Sequence, residues 1–236
     1  MSTTTLTTST TQTMPATRVQ VWEEVLKKAA LVIARLALGY LFFTQLWWKV
    51  PPSFGCPADY AFTTGTVDAN GRAQLKRTSG LCDWVGIESV WATAKHPILV
   101  ADLKPVGGPV LSADIGLLAR ANGAFIDGFV KPNIRWFGYA VWGMEAFIFV
   151  TLFFGLFSRL GGLVALAQSA QLWVGLAGIG NPFEWEWSYN MFLVLSLLVI
   201  AFAPGRYFGV DAWLRPRLLA AAEKGNKAAA VAVWLT

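Results

Sequence analysis

Four stretches of this chain are too long and too apolar to lie on a protein surface in water. They are 29–48 (AALVIARLALGYLFFTQLWW), 134–157, 160–179 (LGGLVALAQSAQLWVGLAGI) and 188–203 (SYNMFLVLSLLVIAFA). A bilayer-spanning helix needs about 20 largely apolar residues. In lipid the backbone must also satisfy its own hydrogen bonds, which a helix does. The expected fold class is therefore all-α: an integral membrane four-helix bundle with a long extracytoplasmic loop between its first two helices. The overall composition, 55% hydrophobic and 14% charged, agrees. A net charge of +5 does not point to nucleic acid, because the basic residues flank apolar runs instead of forming a stripe with stacking platforms. The partner these runs imply is the lipid bilayer.

Lys and Arg near span ends set orientation. Lys27 and Lys28 precede the first run, Arg159 sits in the tight second connection, and Arg206, Arg215 and Arg217 follow the fourth run. All belong to one face, expected to be cytoplasmic, and both termini with it. The third connection, GNPFEWEWS, carries Glu184 and Glu186 and no basic residue, so it is expected outside. The expected location is the cell membrane, multi-pass. The first run is too long for a cleaved signal peptide, and no small-residue cleavage site follows it.

Residues 1–20 are expected to be a Thr/Ser-rich disordered tail. Residues 21–216 form the membrane domain, including the outer loop 49–133, and 217–236 form a cytoplasmic tail. The loop is too long for a simple connection. Pro51, Pro52 and Pro57 stop the first helix. Near the loop's end, Ile115, Leu118, Asn122, Phe125 and Phe129 recur at helical spacing, with Ser112 placed to cap that helix and Pro132 to end it. Its apolar face is expected in the outer interface or on the bundle. Cys56 and Cys82 both lie in this loop, where an oxidising compartment favours a disulfide. A bridge that steadies the loop is the favoured reading over a redox-active pair, since there is no C-x-x-C motif.

His96 is the one histidine, a solvated loop residue, so haem held by paired intramembrane histidines is not available within the chain. No His and Cys spacing suits a metal. KPVGGPVLSADIG is neither a phosphate loop nor a dinucleotide fingerprint. No haem, flavin or metal is expected in this chain.

Polar residues inside apolar runs are the functional candidates, because intramembrane charges are rare and face the bundle interior. They are Arg35, Thr44, Gln45, Glu145, Gln168, Gln171 and Asn190. Counting about 1.5 Å per residue from the inner ends puts Arg35 and Gln168 at one level, Gln171 higher, and Glu145 near mid-membrane beside Phe42 and Trp173. Gln168 and Gln171 share a helix face. Trp142 lies one turn from Glu145. Arg35, the other ionisable residue well inside the runs, is the expected counter-charge of Glu145. Two roles remain open for that pair: an ion pair that fixes helix packing, or a carboxylate that handles a proton or ligand. Glu145 and Arg35 are the catalytic candidates. Gln168, Gln171, Trp142, Trp173 and Phe42 are the candidates for holding a flat ligand. Trp47, Trp48, Trp185 and Trp187 suit an interfacial belt, and Gly161, Gly162, Gly175 and Gly178 suit close helix packing.

ARLALGYLFFTQLWWKV, GMEAFIFVTLFFGLFSRLGG and NPFEWEWSYNMFLVLSLLVIAFAPGRYFGVDAWL together resemble the DoxX family, and most closely its DoxD branch. The arrangement of Arg35, Lys49, Glu145, Gly155, Arg159, Gly205, Arg206 and Asp211 carries the resemblance; Pro204 stands where the family usually has a second glycine. DoxD-type chains are the small membrane subunit of thiosulfate:quinone oxidoreductase. The resemblance implies a sulfur compound oxidised on the outer side, quinone as the acceptor, and a DoxA-like partner subunit. A non-catalytic accessory subunit of a larger respiratory or photosynthetic complex is the alternative. A small-solute transporter is the weaker third reading, because no inverted repeat is present.

Overall fold

The computed structural model describes residues 18–62, 65–69, 73–74, 80–94, 97–176 and 186–236. The Thr/Ser-rich stretch before residue 18, His96, Gly178 and the connection 177–185 with Glu184 and Trp185 lie outside the described residues.

The first helix, α1 (Arg18–Leu46), passes into a single 3-10 turn at Trp47–Lys49. The loop that follows holds a short hairpin, β1 (Thr66–Val67) and β2 (Ala73–Gln74), then helix α2 (Leu81–Trp91). A second antiparallel hairpin pairs β3 (Pro97–Asp102) with β4 (Val110–Asp114). Helix α3 (Gly116–Phe125) leads through a π turn, Ile126–Val130, and a 3-10 turn, Lys131–Asn133, into α4 (Ile134–Phe154). Helices α5 (Ser158–Leu176), α6 (Glu186–Phe202), α7 (Val210–Glu223) and α8 (Lys227–Leu235) complete the chain. The fold is thus mostly helical, in line with the all-α expectation, with two small hairpins in the loop.

Four helices pack in a ring: α1 on α4, α4 on α5, α5 on α6, and α6 back on α1. Their shared core is Leu38, Phe42, Ile148, Leu152, Ala165 and Val199. Glycine permits the close approaches: a Cβ on Gly162 would meet Val199 and Ile200 of α6 at 3.0 and 3.1 Å. Two helical stretches are long and apolar enough to cross a membrane, Arg18–Lys49 and Gly116–Phe154, and Tyr189–Phe202 is a shorter apolar helix.

The second stretch is not one straight rod. Asn122 and Glu145 are 23 residues apart, which a straight helix would set about 35 Å apart. Yet Asn122 bonds Gln171 while Glu145 bonds Gln168, one turn away on the same helix. The chain must double back between them, and the π and 3-10 turns at 126–133 are where it does so. Pro132 therefore sits in a bend leading directly into α4, not at the end of a separate loop helix. The start of α3 also differs from expectation. Ser112 lies in β4, and Asp114 Oδ1 accepts the Gly116 N–H at 2.5 Å.

Folded back this way, α3 and α2 roof one end of the bundle. The packed face of α3 is Gly116, Ala119, Gly123, then Ile126 and Val130 beyond it. The expected face is offset from this one: Leu118, Phe125 and Phe129 are substantially exposed. Small residues win the inner positions because α3 lies close on α2, where a Cβ on Gly123 would run into Ala92. A second core of Phe54, Leu81, Cys82, Val85, Ile126 and Ile134 ties the roof to the start of α4. Cys56 and Cys82 form a disulfide there, with Cα atoms 5.2 Å apart.

Candidate functional site

Between roof and bundle lies a cavity of about 600 Å³. Each wall is one helical face. From α1 come Leu41, Phe42 and Gln45, and from the turn after it Trp48 and Lys49; from α4, Phe137, Val141, Met144 and Glu145. Helix α5 supplies Ala167, Gln168, Gln171 and Leu172, and α6 adds Tyr189 and Phe192. The roof contributes Leu81, Trp84, Val85 and Glu88 of α2, spaced three, four and seven apart as a single helix stripe requires.

Glu145 is the polar centre of the floor and is 2% exposed. Its partner is Lys49, whose Nζ donates to Glu145 Oε1 in a buried ion pair. Gln168 Nε2 donates to the same oxygen at 2.9 Å. The expected pairing with Arg35 is thereby corrected. Arg35 lies two turns or more deeper on α1 and donates instead to the Phe208 carbonyl at 2.6 Å. Lys49, noted only for the resemblance, was not expected as a counter-charge because Pro51 and Pro52 mark its surroundings as loop. The turn at Trp47–Lys49 instead keeps it on the bundle, where its long stem reaches inward along Trp48, 4.5 Å from that ring's centre.

Two atoms of this cluster lack a protein partner. Among the described residues nothing donates to Glu145 Oε2 or to Gln168 Oε1, although both are buried. Buried polar groups are normally hydrogen-bonded. Both orphans are acceptors, so the group that satisfies them carries an O–H or N–H. Lys49, with three ammonium protons, is the complementary donor.

A second polar cluster hangs from the roof. Glu88 Oε2 accepts from Gln171 Nε2 at 2.8 Å and from Asn122 Nδ2 at 3.0 Å. Gly175, one turn beyond Gln171, leaves room for that carboxyl: a Cβ there would collide with it. Desolvation pushes the Glu88 carboxyl up from its ordinary 4.5 to about 7, against the opposing pull of the Asn122 and Gln171 hydrogen bonds. Glu88 was not singled out in the sequence, although the stripe Leu81, Trp84, Val85, Glu88 is the signal that finds it.

The other expected residues divide cleanly. Phe42, Gln168 and Gln171 line the cavity with Glu145. Trp142 does not; its Nε1 donates to the Leu46 carbonyl at 3.3 Å. Nor does Trp173, which donates to Asn190 Oδ1 at 2.9 Å. Arg35 belongs to a lock at the opposite end. There Gly155 ends α4 in the left-handed region at φ 63°. Asp211, fully buried, accepts the N–H groups of Phe157 and Ser158 at 2.7 and 2.8 Å, and its own N–H donates to the Gly155 carbonyl. The Arg35 guanidinium packs against Gly155 and Gly209. Arg159 closes the end of α6 by donating to Ile200 O at 3.0 Å.

Among the described residues, no group of three or more His, Cys, Asp or Glu side chains is arranged to hold a metal ion. Comparison of the chain with protein-family models, curated proteins and solved structures finds no match.

Proposed function

We propose that this chain is the membrane subunit of a quinone-linked oxidoreductase, and that the cavity holds the quinone head group. The observation that carries this reading is the pair of orphan acceptors, Glu145 Oε2 and Gln168 Oε1, beside the Lys49 ammonium in an otherwise apolar, aromatic-walled cavity. A quinone carbonyl takes a hydrogen bond from Lys49. The hydroxyl it becomes after two electrons and two protons donates to the orphans. Ligand sites are commonly of this kind, apolar with a few placed polar groups.

Charge supports a neutral ligand. Lys49 is the one cation among the described lining residues, and Glu145 already neutralises it. Thiosulfate, an anion, finds no free counter-charge there. The resemblance to DoxD-type chains supports thiosulfate as electron donor, oxidised elsewhere, with a DoxA-like partner subunit delivering the electrons.

In this reading α1, α4, α5 and α6 all cross the bilayer. Arg159, Arg206 and Arg215 cluster at the Asp211 end, which this reading assigns to the cytoplasmic face. The roof with its disulfide lies outside. The exposed Leu118, Phe125 and Phe129 face then rests in the outer membrane interface.

Purified protein with its partner subunit should reduce a decyl-substituted benzoquinone with thiosulfate, and Glu145→Gln should lower the rate about 100-fold. Full activity in Glu145→Gln removes the cavity from the reaction.

A further inference from the structure

One buried carboxyl is left unused by a site built around Glu145. Glu88 hangs from the opposite wall of the same cavity. The two acids are tied to successive positions on one helix face. Gln168 holds Glu145 and Gln171 holds Glu88, and the two glutamines lie about one helical turn apart on α5. One ligand in this cavity therefore has two ionisable groups within its walls, one from the floor and one from the roof.

The chemistry of the two groups differs. The floor group is an ion pair, with a cation as donor. Among the described residues the roof group has no cation as a hydrogen-bond partner. Its two donors are amides, Asn122 and Gln171, and both converge on Oε2. Two hydrogen bonds fill that oxygen's lone pairs, which leaves Oε1 to carry a proton. Gly175 keeps the space behind the carboxyl clear.

We propose that Glu88 is the second proton-exchanging residue of this cavity, serving the ligand oxygen opposite the one held by Lys49 and Glu145. The proposal rests on the quinone reading above. When the quinone gains two electrons from the sulfur donor, one oxygen takes a proton from Lys49 and the other takes the proton of Glu88. Each ring C=O becomes C–OH, and the product is the neutral quinol. Lys49 is left as a neutral amine and Glu88 as a carboxylate stabilised by the same two amide donors, and each takes back one proton from water before the next turnover. The groups facing it are the uncharged Asn122 from α3 and Gln171 from α5. The Lys49–Glu145 pair lies across the cavity, and the Asp127–Lys131 pair reaches α2 one residue along, at Ser89. The elevated pKa of Glu88, about 7, suits a proton donor at neutral pH.

The full chain in phosphatidylcholine nanodiscs can be titrated with a decyl-substituted benzoquinone, following quenching of tryptophan fluorescence from pH 5.5 to 8.5. Trp48 and Trp84 line the cavity and report occupancy. A protonated Glu88 donates to the quinone carbonyl and an ionised one repels it. Wild-type affinity should therefore fall about fivefold to tenfold across that range. Glu88→Gln keeps a donor of the same shape and loses the titration, so its affinity should stay near the low-pH wild-type value at every pH. A Glu88→Gln protein with the wild-type pH dependence overturns the inference and leaves the quinone reading standing. A pH dependence that vanishes instead in Glu145→Gln does the same. A wild-type protein that binds no quinone at any pH overturns both.

Discussion

Lys49 and Glu145 hold each other at the centre of the cavity floor, 5% and 2% exposed. Removing one partner of a buried pair strands the other charge, which costs about 3–5 kcal/mol, whereas replacing both can be close to neutral. Lys49→Met should thus destabilise the protein strongly, and adding Glu145→Gln to it should recover most of the loss. Unfolding of the single and double variants in mild detergent measures both. Glu88 gives a pH signature of its own. Its carboxyl is raised in the folded state, so its contribution to stability is complete below about pH 4.5 and is lost as pH rises through about 7. Thermal unfolding of the wild type should show that decline between pH 5 and 8, and Glu88→Gln should flatten it.

At the scale of elements, the helices were legible and their ends were not. The apolar period of α1, α4 and α5 and the buried stripe Arg35, Gly39, Phe42 follow directly from residue spacing. Two devices were hidden. The 3-10 turn that keeps Lys49 on the bundle depends on tertiary packing, and the prolines beyond it read as the end of order. The π turn at Ile126–Val130 carries no marker residue, so the doubling back that builds the roof could not be read from a pattern of apolar positions. Glu145 was matched with the wrong cation because Arg35 lies inside an apolar run, whereas Lys49 stands just beyond the first one. The connection from α4 to α5 is the element most dependent on a single side chain. Asp211→Ala removes the acceptor for two backbone N–H groups at the start of α5, and unfolding should show a loss of about 2 kcal/mol. Quinone binding in the folded fraction should not change.

For the whole molecule, the testable quantity is sidedness. The disulfide lies at the end of α4 that begins with Ile134, and the arginine cluster lies at the other. The two native cysteines are paired, so a new thiol reports alone. In intact cells, Val106→Cys at the exposed hairpin turn should react with a membrane-impermeant maleimide. Lys224→Cys, between α7 and α8, should react only after the membrane is opened. Labelling of both from one side contradicts four crossings.

The lock at one end and the cavity at the other have no residue in common. Arg35, Gly155, Gly205 and Asp211 determine how the helices are gathered, while Lys49, Glu88, Glu145 and Gln168 determine what they enclose. The architecture is therefore modular. The enclosing residues can be exchanged for others of similar volume, Lys49 and Glu145 only together, so chains alike in the first set can differ in chemistry. Grouping proteins by the second set would sort them by ligand, and it is the second set that an engineer seeking a different ligand would rewrite.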